Sequence, residues 1–176
     1  MGRVYRALLT AVVVLGMGSP SGVQAQETAP APKVLGDPTG GVPFPWMVSC
    51  NSQPQTGNLV CMMSLQMVDG RSGQRIVSAA IVRPKPEEPA VLRLSLPHGV
   101  LLQKGVDVWV DTSPAVNYPI TIADQNGSYA DVKLDGNFIV VLQAGGVLHV
   151  AVTSASEERI EFQLSLKGFT AAFARI

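Results

Sequence analysis

The sequence has no excess of charge of either sign, few aromatic residues and only two cysteines. It contains 13 lysines and arginines against 13 aspartates and glutamates, with five Phe, three Tyr and two Trp. A balanced charge gives no electrostatic reason to expect a nucleic acid or an anionic membrane as a partner. After residue 25 the chain has no apolar run of the roughly 20 residues that a membrane-spanning helix needs. We therefore predict no nucleic-acid partner and no membrane span in the mature chain.

The sequence also lacks the residue patterns that carry catalysis or bind metal. Its histidines are His98, in a Pro-His-Gly turn, and His149, within an apolar strand. A zinc site draws three or four ligands from Cys, His and carboxylates, and two isolated histidines do not supply them. No Gly-x-Ser-x-Gly motif is present to expose a serine nucleophile. We predict no catalytic residue, no metal and no cofactor.

The first 25 residues have the three parts of a secretory signal peptide. Arg3 and Arg6 form the basic region, residues 7–18 form an uncharged apolar run, and small residues precede a cleavage position after Ala25. A retained membrane anchor is the alternative, but this run of about a dozen residues is short of the roughly 20 that span a bilayer. We predict cleavage after Ala25 and export to the periplasm, the outer-membrane surface or the medium.

The two cysteines, Cys50 and Cys61, are spaced for a disulfide across a β-hairpin. Residues 46–50 have the pattern of a strand, 54–57 that of a turn and 59–63 that of the returning strand. An even pair of cysteines at close spacing in an exported chain is most simply a disulfide. Cross-strand neighbours have Cβ atoms about 4.5–5.5 Å apart, near the separation that a disulfide requires. Because a Cys-x-x-Cys motif is absent, we interpret the bridge as structural rather than redox-active.

Composition divides the mature chain into an arm and a domain. Residues 26–45 are rich in proline and glycine and show no periodicity, which indicates a flexible arm. From residue 46 the pattern changes to short apolar runs separated by Pro, Gly and Asp, which is typical of many short strands. We predict one all-β domain over 46–176, an antiparallel β-sandwich-like fold with one or two short helices near the C-terminus. The main predicted strands are residues 46–50, 59–63, 76–82, 91–96, 106–111, 129–134, 147–152 and 160–166.

Two segments of the domain are helix candidates. Residues 138–144 follow Asp135, which can cap a helix, and precede two glycines, which can end one. The β-branched residues of this segment suit a strand equally well, so the two alternatives stay open. At the C-terminus, apolar residues recur at helical spacing over 169–176, which predicts a final amphipathic turn or two.

Trp109 is the candidate partner contact, with Asp107 and Asp111 on either side of it. In an extended strand all three side chains point to one face. Two carboxylates beside an aromatic ring are also typical of sugar-cleaving sites. Four residues of extended chain, however, place the carboxylates about 13 Å apart, beyond the separation that either glycosidase mechanism uses. Because tryptophan is frequent at the energetic centres of interfaces, we interpret the three residues as a polar outer face that contacts a protein.

Seven short motifs follow one another along the domain: WMVSC at 46–50, CMM at 61–63, LPHGVLL at 96–102, GV at 105–106, VD at 110–111, LQAG at 142–145 and LSLKGFTAA at 164–172. In this order they resemble the invasion-associated locus B family of bacterial envelope proteins. The resemblance implies an exported all-β domain linked to host-cell invasion or envelope maintenance, with no catalytic residues to carry over. Family members often have a second cysteine pair after the position of Tyr118 and Pro119, which this chain lacks.

Together these interpretations favour an exported envelope or surface protein that acts without catalysis, through contacts with a host or envelope protein. The chief alternative is a periplasmic accessory or chaperone-like module that supports envelope integrity. A third alternative is an envelope enzyme whose site is assembled from dispersed loops. That alternative requires a concave pocket in which titratable groups converge.

Overall fold

The computed structural model describes residues 33–35, 46–52, 59–83 and 88–176, which form two β-sheets and two short helices. In chain order the elements are β1 (Lys33–Leu35), β2 (Met47–Ser52), β3 (Leu59–Val68), β4 (Arg75–Val82), β5 (Val91–Leu96), a 3-10 turn (Leu102–Lys104), β6 (Val106–Val110), β7 (Val116–Tyr118), β8 (Ile122–Asp124), β9 (Gly127–Lys133), α1 (Gly136–Ala144), β10 (Val147–Thr153), β11 (Arg159–Ser165) and α2 (Phe169–Phe173). The predicted signal peptide with its cleavage position, and the predicted arm apart from β1, lie outside the described residues.

Almost all neighbouring strands run antiparallel. Within the described residues, the five-stranded sheet has the order β1-β11-β10-β6-β7 and the six-stranded sheet the order β2-β3-β4-β5-β9-β8. The pair of β1 and β11 is the parallel one. Strands that follow one another along the chain are mostly neighbours in a sheet, as in antiparallel meanders. The predicted fold class, an all-β sandwich-like domain with short helices near its C-terminus, is confirmed.

Alternation along the strands places one row of side chains from each sheet in a shared core. In β5, Leu92, Leu94 and Leu96 are buried while Arg93 is exposed. Successive side chains of a strand point to opposite faces, so each sheet has a core face and an outer face. One continuous cluster draws residues from both sheets, among them Met63, Ile81, Leu92, Val108, Val150 and Phe162.

The disulfide joins directly opposed residues of the β2–β3 hairpin. Cys50 pairs with Cys61 in the antiparallel register, and their Cα atoms are 4.0 Å apart. Directly opposed residues of an antiparallel pair lie close enough for such a bridge. The predicted Cys50–Cys61 disulfide is confirmed.

Both helix candidates near the C-terminus are helices. α1 begins after Asp135, whose Oδ1 accepts a 2.7 Å hydrogen bond from the backbone N–H of Phe138, as an N-cap residue does. The helix ends at Gly145, whose backbone N–H donates to the carbonyl of Val141. The strand alternative for residues 138–144 is therefore wrong. The short α2 closes the chain and packs its aromatic residues into the core.

Trp46 connects the beginning of the domain with its end. Its indole Nε1 donates a 3.1 Å hydrogen bond to the carbonyl oxygen of Ser165, at the end of β11. Its ring meets that of Phe169 edge to face, with centroids 5.3 Å apart. Since Trp46 leads into the six-stranded sheet and Ser165 ends a strand of the other, this contact holds the two sheets together at one end.

Candidate functional site

Five side chains on the outer face of the five-stranded sheet form one cluster, which we call the Trp109 face: Asp107 and Trp109 from β6, His149 from β10, and Arg159 and Glu161 from β11. Alternation explains their direction, because the residues between them along each strand are buried or half-buried toward the core. The sheet order brings β6, β10 and β11 side by side. Of these five residues, Asp107 and Trp109 were predicted from the sequence to lie on an outer contact face, and the other three were not.

An aromatic stack forms the centre of the Trp109 face. Trp109 and His149 are directly opposed in the register of β6 and β10. Their rings lie nearly parallel, at 9° to each other, with centroids 4.8 Å apart. The guanidinium carbon of Arg159 lies 5.8 Å from the centroid of the indole ring, within the range of a cation–π interaction. The indole is therefore held by a planar neighbour and a cation.

Glu161 connects the aromatic stack with β11. Its Oε1 lies 2.8 Å from Nδ1 of His149 and accepts a longer, 3.3 Å hydrogen bond from Nε2 of Gln163. Glu161 is only 8% exposed, and a buried carboxylate is costly unless it is paired or hydrogen-bonded. Ala151 lies between Glu161 and Asp107 in the register and is itself buried. This small residue leaves room for longer side chains from the flanking strands to close over the sheet.

Asp107 is held from both sides. Nη1 of Arg159 lies 2.5 Å from its Oδ2, and Nδ2 of Asn117 donates a 2.7 Å hydrogen bond to its Oδ1. Asn117 is opposite Asp107 on β7. Burial raises the pKa of the Asp107 carboxyl, but the hydrogen bonds from Asn117 and Arg159 together outweigh it, so the net pKa is lowered. Asp107 therefore stays ionised on this face at neutral pH.

Asp111 does not continue the row of Asp107 and Trp109. β6 ends at Val110, so the predicted strand over 106–111 is one residue too long. Asp111 has a φ of 49°, and its carboxylate accepts hydrogen bonds from the backbone N–H groups of Gly146 (3.0 Å) and Val147 (2.9 Å). These bonds lower the pKa of Asp111. The carboxylate thus holds the start of β10, because the left-handed turn redirects it from the strand face.

The two histidines have separate partners. Nε2 of His98 lies 3.2 Å from the carbonyl oxygen of Gln125, in the β8–β9 turn, while His149 belongs to the Trp109 face. In the part of the chain that the structure describes, no three His, Cys, Asp or Glu residues are arranged to hold a metal ion. The charged groups of the Trp109 face are instead paired with one another. An arrangement of this kind presents a fixed aromatic and polar surface, which suits recognition.

Fold and site together define a class: a small all-β domain of two sheets. It has a disulfide across one hairpin and a polar and aromatic face on its five-stranded sheet. A sequence model of the family described as "Invasion associated locus B (IalB) protein" matches residues 46–176. The chain belongs to this family.

Curated relatives and a crystal structure agree with that assignment. "Invasion protein B homolog" of Brucella abortus (strain 2308) is 30% identical over 132 residues, covering 74% of this chain and 75% of the relative. "Invasion protein B" of Bartonella bacilliformis is 27% identical over 135 residues, covering 74% and 70%. The crystal structure of invasion associated protein b from Bartonella henselae superposes with a TM-score of 0.67 at 26% identity, covering 74% of this chain and 88% of that one.

Two further observations bear on the compartment. Neither of the described helices is long and apolar enough to cross a membrane. The Cys50–Cys61 disulfide is consistent with an extracytoplasmic protein, because such bonds form and persist in oxidising compartments.

Proposed function

We propose that this chain is an exported bacterial envelope or surface protein that binds another protein through the Trp109 face and catalyses no reaction. The observation that carries the proposal is the outward stack of Trp109 on His149 with Arg159 beside it. Tryptophan, tyrosine and arginine are enriched among residues that dominate binding energy. The relatives are named for invasion rather than for a catalysed reaction, which supports a role in contact with a host cell.

The internal pairing of the Trp109 face supports binding in a second way. Asp107 and Glu161 already hold Arg159 and His149 in place. A partner that docks here meets side chains that have lost most of their rotational freedom, so the entropic cost of association is reduced. We propose Asp107 and Trp109 as contact residues, with Asp111 fixing the adjacent turn.

We further propose that residues 1–25 are removed after Ala25 and that 26–45 form an arm ahead of the domain. The support is the order of basic, apolar and small residues at the amino terminus, together with the disulfide. Intact-mass measurement of protein purified from the producing cells tests this: a mature chain that begins at Gln26 is expected. Full-length protein confined to the cytoplasm would contradict it.

Location separates the host-contact role from that of a periplasmic accessory module. Protease is added to intact cells and to cells whose outer membrane has been permeabilised, with a periplasmic protein as the internal control. We expect digestion on intact cells, which supports the host-contact role. Protection until permeabilisation would instead support a periplasmic module whose partner lies within the envelope.

Photo-crosslinking from the sheet surface tests the contact itself. A photoreactive residue at Gln163 lies on the outer face beside His149, to which Gln163 is opposed in β11. The matched control is Gln66, exposed on the outer face of the six-stranded sheet. We expect a discrete crosslinked species in living cells from position 163 and not from position 66. Equal patterns from both positions would contradict a binding role for the Trp109 face.

A further inference from the structure

One strand of the five-stranded sheet comes from outside the family domain. The family match begins at Trp46, whereas β1 lies upstream, and ten residues, 36–45, separate the two. β1 adds in parallel to the edge of β11, with its three residues opposite residues 160–162. The edge of β11 thus belongs to the domain, while the strand that occupies it does not.

The occupying strand is shorter than the edge. β11 has seven residues, and β1 has three. Among the described strands, none pairs with residues 163–165 on that side of β11, and of these residues Ser165 already has its carbonyl oxygen bonded to Nε1 of Trp46. A sheet edge presents backbone N–H and C=O groups that can pair with any extended chain, and strand addition to such an edge is a common mode of peptide recognition. A longer strand at this edge would therefore make backbone hydrogen bonds that β1 does not make.

We propose that the edge of β11 is a binding site for an extended segment of another protein, which adds as a parallel strand and displaces Lys33–Leu35. In this role β1 covers the edge in the absence of the partner. The proposal concerns the sheet edge and does not rest on the Trp109 face, so either can fail without the other.

The sequence of β11 defines the chemistry of the segment. Phe162 and Leu164 are buried toward the core, while Glu161 and Gln163 lie on the outer face. Residues opposite one another on adjacent strands share a face. The segment therefore needs aliphatic residues at the two positions opposite Phe162 and Leu164 and tolerates polar residues between them. A segment that runs from the position opposite Ile160 to the position opposite Leu164 has five residues, against the three of β1.

Tethering explains how three residues hold the edge. A segment covalently linked to the domain through few residues acts at an effective concentration on the order of millimolar, which compensates for a short pairing. A free peptide competes with this tethered strand for the same edge. Its apparent affinity is therefore lower while β1 is attached. Removing the arm should therefore strengthen the binding of a given peptide.

NMR titration of uniformly 15N-labelled mature protein tests the site. The probe is an acetylated, amidated peptide of residues 31–37 with two substitutions. Gly36→Thr stands at the position opposite Gln163, and Asp37→Val places an aliphatic residue opposite Leu164. Two proteins are titrated: the mature chain from residue 26 and a shortened chain from residue 36. The control peptide carries Val34→Pro in addition, because proline removes a backbone donor.

We expect peptide-dependent shifts of the amides of residues 159–165 in the shortened chain, at an affinity at least about tenfold higher than for the mature chain, and no shifts with the proline peptide. If the shortened chain does not fold, Val34→Pro in the mature chain replaces it, with the same expected increase in affinity. Absence of shifts at residues 159–165, or equal affinities with and without the arm, would overturn the proposal.

Discussion

Nδ1 of His149 lies 2.8 Å from Oε1 of Glu161, a contact that runs diagonally between β10 and β11. In the register His149 is opposite Gln163, and Glu161 is opposite Ala151. Diagonal neighbours on one face of an antiparallel pair are within reach of long side chains. Since Trp109 stacks on the same imidazole, His149 connects the acidic and aromatic parts of the Trp109 face.

Removing the imidazole of His149 should destabilise the domain. His149→Ala leaves the buried carboxylate of Glu161 with the longer hydrogen bond from Gln163. An under-satisfied buried acceptor costs about 1–3 kcal/mol, and we expect a loss of that size in the free energy of unfolding, measured in urea at neutral pH.

Arg93→Ala is the matched control for that measurement. Arg93 makes two 2.7 Å hydrogen bonds to Asp131, but its side chain is 51% exposed. Surface ion pairs contribute little, so the loss should stay below about 1 kcal/mol. If the two variants lose the same stability, burial of Glu161 is not what makes its contact with His149 important.

Gly145 should tolerate no side chain. A Cβ there would overlap Cγ1 of Val110 and lie 3.0 Å from the carbonyl oxygen of Val141. Overpacking of this kind costs about 1–3 kcal/mol, so Gly145→Ala should lower the thermal midpoint. At Gly136, in the first turn of α1, a Cβ would have no atom within 4 Å, and Gly136→Ala should be neutral or stabilising. Equal midpoints for the two variants would contradict the packing at the end of α1.

Asp111 should make stability depend on pH in the acid range. Its folded-state pKa is lowered by the N–H groups of Gly146 and Val147. A lowered carboxyl pKa contributes stability at pH values above the unfolded pKa of about 3.9, and that contribution is lost as the pH falls through the folded pKa. Asp111→Asn, which keeps the shape and the tolerance for a left-handed φ, should therefore be less stable than wild type at pH 7.

The stability difference between wild type and Asp111→Asn should shrink as the pH is lowered below about 4, where the wild-type carboxyl takes up its proton. Urea unfolding of both proteins at several pH values between about 7 and about 3 measures it. A difference that stays constant over this range would mean that the charge of Asp111 does not stabilise the turn between α1 and β10.

Loss of the disulfide should weaken the domain without removing a specific activity. The bridge closes a small ring, with a sequence separation of 11, for which the expected stabilisation is about 2–3 kcal/mol. The double variant Cys50→Ser, Cys61→Ser should show a thermal midpoint below that of wild type, and reduced wild type should behave in the same way. Equal midpoints for oxidised wild type and the double variant would defeat the structural interpretation of the bridge.

The core strands were predictable because their alternation reports burial directly. Leu92, Leu94 and Leu96 recur with period two, and all are buried. The edge strands β7 and β8 were not predicted, since each has three residues, and neither buries a side chain fully. Their partners, β6 and β9, are the neighbouring strands along the chain, so it is their length and exposure, and not a distant partner, that hides them. A strand of three residues is too short to show the two-residue alternation of apolar and polar side chains by which a strand is recognised in a sequence.

The site was only partly predictable for a related reason. Trp109 and Asp107 stand out within one strand, whereas Arg159 and Glu161 join them only through the register of β10 and β11. That register follows from a turn centred near residue 156, so a hairpin alignment of the two predicted strands would have placed Glu161 beside His149. The turn at Asp111 was missed because a left-handed φ in a non-glycine residue is set by tertiary hydrogen bonds.

The most direct test of the account compares the yield of the crosslink from position 163 in three backgrounds: wild type, Trp109→Ala and Trp46→Phe. Trp46→Phe removes the hydrogen bond to Ser165 and makes a buried core side chain smaller, so it lowers stability. It changes no residue of the Trp109 face and therefore controls for a general loss of stability. We expect Trp109→Ala to abolish the crosslinked species and Trp46→Phe to retain it. An undiminished yield from Trp109→Ala would contradict the claim that this face binds the partner.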